Sequence, residues 1–281
     1  MILLVDIGNS QIKWATIQSK VLAESQHFSR PKTGVKAALN KAWKPLDGIE
    51  AVFVSNVAGD KVATQLSEWV EKQWKLTPIF VQSEKRRFGV TNAYEQPETL
   101  GVDRWLAIVA GRQHARQVTC IIDCGTAITV DIVTEKGQHQ GGLIVPGLSL
   151  MKQMLTDNTD ALSNVAQESE FNLLATNTHS AVQAGTLYMV TATLENLIND
   201  LQQNFKDEIR FLITGGDAEE LIPLLPQPLL HEPDLVLKGL AQYARQNNQR
   251  HKNKTINHTE DESSADEDGV KESSTLPENT N

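Results

Sequence analysis

The chain has 281 residues, with 35 acidic against 26 basic side chains for a formal charge of −9, 40% hydrophobic residues and two cysteines. A chain this acidic, whose longest basic run is Lys85-Arg86-Arg87, has little charge to set against a polyphosphate backbone, so no nucleic-acid partner is expected. Met1 to Val5 carries no basic leader and reaches Asp6 at once, and no stretch approaches the ~18 uninterrupted apolar residues of a membrane span; a soluble cytoplasmic protein without membrane contact is predicted.

In chain order, Ile2 to Val5 reads as a buried strand, with Ile12 to Ile17 and Val21 to Phe28 as antiparallel partners. Lys32 to Trp43 is helical in pattern, and Ala51 to Val54 is an apolar strand. Lys61 to Trp74 carries Val62, Leu66, Trp69, Val70 and Trp74 at the helical period, and Pro78 to Val81 is a strand again. Thr99 is a fair N-cap for a helix over Gly101 to Gly111. Past Arg116 the pattern restarts, with strands at Val118 to Ile122, Ile128 to Val133, Gly141 to Val145 and Ile209 to Ile213. Helices are expected from about Ser149, over Thr178 to Leu201 and over Asp234 to Arg245. The fold class is therefore α/β, mixed sheets flanked by helices, in two similar halves at 1–116 and 117–245.

Gln246 to Asn281 differs in kind: four apolar residues, eight acids and four bases, a composition that cannot bury enough surface to offset its ordering entropy. A disordered acidic tail is expected there, carrying four of the nine net negative charges. Cys120 and Cys124, four positions apart on one strand, would have Cα atoms about 13 Å apart, beyond the ~7 Å reach of a disulfide, and read as free thiols of a reducing compartment. The five tryptophans, with Met151 and Met154, read as packing residues, and no histidine falls at a ligand-like spacing.

The halves align locally. Leu4 to Ile12, with Asp6, Gly8 and Asn9, can be laid over Ile121 to Thr129, with Asp123, Gly125 and Thr126, at an offset of 117 residues. One Asp-x-Gly after a strand is an ordinary hairpin turn; two at equivalent places in repeated halves are the anomaly. A tight strand-Gly-strand turn offers backbone N–H groups to an anion, and its aspartate suits a phosphate already paired with a metal ion. Two facing turns would clamp a metal-bound polyphosphate between them. Lys13 adds a point charge, or else is a surface lysine on an exposed strand face. Neither a P-loop nor a Gly-x-Gly-x-x-Gly helix start is present, and Gly215-Gly216 after a strand is a weak nucleoside signal.

These turns resemble those of the duplicated acetate and sugar kinase, Hsp70 and actin superfamily, which implies two ribonuclease H-like (actin-like ATPase) halves with five-stranded sheets. The resemblance narrows to the type III pantothenate kinase family. It rests on Asp6-x-Gly8-Asn9 with Lys13, on Tyr94, Pro97, Leu100, Gly101, Asp103 and Arg104, on Asp123, Gly125 and Thr126, on Gly141-Gly142 with Pro146-Gly147, and on Asn177-Thr178 with Gly185. It implies ATP-dependent phosphorylation of the primary hydroxyl of pantothenate to 4′-phosphopantothenate, the first step of coenzyme A biosynthesis. On that resemblance Asp103 is the general base. Asp6, Gly8, Asn9, Lys13 and Thr126 bind ATP, and Tyr94, Gly101, Val102, Asp103, Arg104 and Thr178 hold pantothenate. Asp123 would take a monovalent cation, K⁺ or NH₄⁺, beside Mg²⁺ at Asp6, in a homodimer. Without its flanking Gly101, Arg104 and Tyr94, Asp103 would read as a helix N-terminal acid, and Thr178 reads also as an N-cap, a role compatible with substrate contact. A sugar kinase of the same superfamily and a nucleotide-driven switch protein are the competing readings; a switch would turn over ATP without an acceptor.

Overall fold

β1 (Ile2–Ile7) is buried at every position but Asp6, because it runs through the middle of a sheet covered on both faces. It pairs antiparallel with β2 (Gln11–Gln18), which sets Asp6 opposite Lys13. The chain is described by a computed structural model over residues 1–31, 33–114, 116–157, 174–206 and 208–247. β3 (Val21–Leu22) and β4 (Gln26–Ser29) pair with the two ends of β2, so the strand expected over Val21 to Phe28 is one interrupted edge.

α1 (Lys36–Trp43) begins four residues later than the pattern predicts, because Gly34 sits at φ +130° in a turn closed on the Pro31 carbonyl. β5 (Ala51–Asn56) lies parallel to β1, with Ser55 opposite Asp6. α2 (Asp60–Trp74) leads to β6 (Ile79–Phe80), parallel to β5, and β7 (Arg86–Arg87) with β8 (Val90–Thr91) forms a small separate hairpin. A 3₁₀ turn, Pro97–Thr99, precedes α3 (Val102–His114). Thr99 does not cap that helix: its hydroxyl donates back to the Gln96 carbonyl at 2.7 Å. Asp103 in the first turn instead accepts from the Arg104 backbone N–H at 2.8 Å.

The second half is β9 (Thr119–Cys124), β10 (Ala127–Val133), β11 (His139–Pro146), α4 (Leu148–Asp157), α5 (Thr178–Asn204), β12 (Arg210–Thr214), α6 (Ala218–Leu221) and β13 (Leu230–His231), then α7 over 235–247. Its sheet runs β11-β10-β9-β12-β13, and the first runs edge-β2-β1-β5-β6. Both therefore place the first strand centrally, its hairpin partner antiparallel on one side and two parallel strands on the other. This repeat is the duplicated ribonuclease H-like architecture. The register corrects the alignment read from sequence: Asp123 faces Thr129 as Asp6 faces Lys13, so the second turn is one residue shorter and Thr129 matches Lys13 rather than Ile12.

Each sheet has its own core. Trp14, Trp43, Trp69 and Trp74 interlock beneath the first, with ring centroids 5.0 to 6.5 Å apart, mostly edge to face. The second packs α5 residues Leu187, Val190, Leu194 and Ile198 on β9, β10 and β12. Met151 joins that core, whereas Met154 is half exposed. Cys120 and Cys124 are buried free thiols whose pKa values burial pushes up, which leaves them unreactive. Residues Met1–Gln242 group as one compact unit and Tyr243–Asn281 as another. In the latter, 243–247 are helical, including Gln246, which was expected to begin the tail, and 248–281 lie outside the described residues. No described helix is long and apolar enough to cross a membrane.

Candidate active site

The two hairpin turns meet. In the first, the Gly8 N–H donates to the Gln11 carbonyl at 3.0 Å; in the second, the Gly125 N–H donates to Ala127 at 3.2 Å. The Ser10 and Thr126 hydroxyls hydrogen-bond across the gap at 2.8 Å. Each turn is held from outside. Arg30 donates its backbone N–H to Ser10 and its Nε to the Asn9 carbonyl at 2.7 Å. Gly147 donates to Thr126 at 3.0 Å and passes so close that a Cβ there would fall 2.1 Å from the Gly125 carbonyl oxygen. Gly215, at φ +98°, crosses the end of β9 in the same way, since a Cβ would lie 2.3 Å from the Cys124 carbonyl.

Between them lies a cleft of about 320 Å³. It is lined by Asp6, Gly8, Asn9 and Lys13 from the first turn, Asp123 and Thr126 from the second, and Asp103 from α3. Every expected ATP-site residue is therefore gathered in one place, and Gly215 and Gly216 lie along its wall. Ser10, Thr214, Asp217 and Asp234 line it as well, without having been singled out in the sequence. Lys13 is its only lysine or arginine among the described lining residues, and its Nζ lies 3.2 Å from Asp234.

The electrostatics follow from crowding. Burial first, then the charges of Asp103 and Asp123, push the Asp6 carboxyl up to about 7, against the pull of Ser55 and Lys13. Burial and the Asp103 charge push Asp123 up to about 6. Asp103 is raised by burial as well, with the Arg104 backbone N–H and guanidinium opposing. One Asp6 oxygen, Oδ1, is buried with no hydrogen-bond partner. An orphaned carboxylate oxygen among three carboxylates of raised pKa suits a cation. Among the described residues no cluster of three His, Cys, Asp or Glu forms a ready cage for one. A cation here would thus use one or two carboxylates and complete its shell with phosphate oxygens, as Mg²⁺ does.

The remaining expected residues lie elsewhere. Tyr94, Gly101, Val102, Arg104 and Thr178 do not line the cleft, although Asp103, next to Arg104, does. Thr178 is exposed at the first position of α5; the N-cap is Asn177, whose side chain accepts from the Ser180 N–H at 2.9 Å. Arg104 is 6% exposed and already grips a carboxylate of its own chain: Nε and Nη2 donate to the two oxygens of Asp131 at 2.8 and 2.7 Å. Nη1 donates to the Tyr94 hydroxyl at 3.0 Å. His139 Nε2 lies 2.9 Å from Asp131 Oδ1, and its ring stacks on Tyr94. Neither Asp131 nor His139 was singled out in the sequence; the available signal was an aspartate in the middle of the apolar run Ile128 to Val133.

A model of the type III pantothenate kinase family matches residues 2–200. A type III pantothenate kinase of Nitrosococcus oceani is 46% identical over 250 residues, covering 87% of this chain and 94% of the relative. The chain belongs to the type III pantothenate kinase family. A second member, from Hydrogenovibrio crunogenus, is 36% identical over 249 residues, 86% of this chain and 98% of its own. Among solved structures, a conserved Campylobacter jejuni protein assigned to the Baf family of transcriptional activators superposes with a TM-score of 0.54 at 21% identity, over 88% of this chain and 99% of that one, a likeness of fold. In this type III pantothenate kinase the cleft between the turns brings together one lysine, the two glycine turns and three carboxylates, Asp6, Asp103 and Asp123.

Proposed function

We propose that the cleft binds ATP between its two turns and passes the γ-phosphoryl group to the primary hydroxyl of pantothenate, giving 4′-phosphopantothenate, with Asp103 as the base. Family membership supports the reaction, and the observation that supports its location is Asp103 on the same cleft as both turns. Phosphoryl transfer asks chiefly for alignment and charge neutralisation, so one acceptor near the nucleophile is enough. A carboxyl raised by burial is a better base near neutral pH than a solvated one, and Asp103 is in that state. The Gly8 and Gly125 turns with Asn9, Thr126 and Lys13 hold the phosphates, and Tyr94, Gly101, Val102, Arg104 and Thr178 serve the acceptor. Asp6 would hold Mg²⁺ and Asp123 the monovalent cation, K⁺ or NH₄⁺; bound there, they neutralise phosphate charge against the three carboxylates. The protein acts as a homodimer, a reading supported by the exposed apolar side chains of Tyr188 and Met189 on α5 and Leu143 and Ile144 on β11. The two free thiols suit the cytoplasm.

The test is ADP release from ATP, Mg²⁺ and K⁺ with pantothenate present or omitted. Turnover is expected only with the acceptor, and equal turnover without it would sink the reading. Asp103→Asn should bind ATP normally and lose activity by roughly 100- to 10,000-fold, the range for a positioned base. Near-normal turnover would remove Asp103 from that role.

A further inference from the structure

We propose that Asp131 and His139 are positioning residues for the acceptor site, orienting Arg104 and Tyr94; this rests on the reading that those two residues meet pantothenate. A guanidinium has five N–H groups, and three are committed: Nε–H and one Nη2–H to Asp131, one Nη1–H to the Tyr94 hydroxyl. Two remain, one on each terminal nitrogen, and the Nη2 one lies on the end-on fork of the group. Asp131, holding the side edge bidentately, dictates where that fork faces. An Arg–carboxylate pair this buried is poor evidence of a stability role, since apolar side chains would fill the space about as well. What an apolar pair would not supply is direction.

His139 holds the carboxylate in turn. The Ala93 backbone N–H donates to its Nδ1 at 3.4 Å, which leaves Nε2 as the protonated nitrogen donating to Asp131. Backbone geometry brings it there. Asp131 pairs with Gly142 but Val133 pairs with His139, so β11 carries an extra residue between the two pairs, at a bulge where Gly141 has φ +97°. Were the register of this same sequence unbroken from the Asp131–Gly142 pair, Val133 would face Gln140 and His139 would point to the other side of the sheet. The bulge turns His139 onto the face of Asp131. Gly142 leaves room for the pair, since a Cβ there would lie 2.6 Å from Asp131 Oδ1 and 2.8 Å from Arg104 Nη2.

The test compares His139→Gln, His139→Leu and Asp131→Asn in the full chain, measuring KM for pantothenate and for ATP and the affinity for each alone. His139→Leu and Asp131→Asn should raise the pantothenate KM about tenfold, the scale of a lost hydrogen bond to a charged group, with the ATP KM unchanged within about twofold. His139→Gln, which keeps an N–H donor towards Asp131, should restore most of the loss. The proposal is overturned if pantothenate KM stays at the wild-type value in both damaging variants. A parallel rise in both KM values, or a Gln variant as damaged as Leu, overturns it too, because general loosening of the fold would do the same. If Asp131→Asn does not fold, the His139 pair decides alone. A wild-type enzyme that binds ATP but shows no pantothenate-dependent turnover would instead overturn the acceptor reading itself.

Discussion

Asp6 shows what a single side chain does in this cleft. It ends a strand that is otherwise apolar, and its carboxyl is held at about 7 because burial and two neighbouring carboxylates oppose its charge. A folded-state pKa above the unfolded value means that the folded chain binds the extra proton. The associated stability is fully present below about pH 4 and is lost as pH rises through about 7, with Asp123 adding the same trend up to about 6. Free of nucleotide and metal, the protein should thus melt at progressively lower temperature from pH 4 to pH 8. Asp6→Asn should be more stable than wild type at pH 8 by ~2 kcal/mol, a discounted linkage value because the carboxyl opens to the cleft, and nearly equal to it at pH 4. Thermal melts at the two pH values check this, and a variant equally stable at pH 8 would show that Asp6 is ionised without strain. The aspartates of the turns were legible in the sequence because each follows an apolar run and precedes a glycine. Asp131 was not, since its partners on α3 and β11 come from 27 residues before and 8 after.

At the scale of elements, the turns are shaped by what passes behind them. Gly147 is a glycine because the chain leaving β11 crosses within 2.1 Å of the Gly125 carbonyl, measured from where a Cβ would be. Gly147→Ala should displace the second turn and raise the ATP KM by about tenfold or more, with pantothenate affinity little changed. Isothermal titration with each ligand separates the two, and unchanged ATP affinity would mean that the turn adapts. Periodicity found most strands and helices because each buries one apolar face. It misjudged ends where conformation rather than hydrophobicity decides: α1 starts late at Gly34, and Thr99 turns back on Gln96 instead of capping α3. The bulge at Gly141 left no mark in the apolar pattern, because the residues around it are Gln, Gly and Gly.

For the whole molecule, duplication is the governing fact. The same strand order twice over sets two equivalent turns against each other, and the Ser10 to Thr126 hydrogen bond is their direct contact. Each half alone would offer one glycine turn; the pair makes a cleft. Pairing of two copies would cover the large apolar side chains left exposed on α5. On the proposed homodimer, Met189→Asp is expected to give a monomer in sedimentation velocity, whereas a dimer that persists at micromolar concentration would move the interface elsewhere.

By itself the sequence determined most strands and helices, the repeat, the family and the residues gathered at the two glycine turns. Those features are carried by local patterns: apolar periodicity, Asp-x-Gly after a strand, and motif spacing. Only the tertiary structure decided that Arg104 is already committed to a carboxylate, that His139 stands behind it, and that the second turn is one residue shorter than the first. Those facts depend on strand register and on a single extra residue in β11. A shift of one position in a strand moves a side chain to the opposite face without altering composition or periodicity.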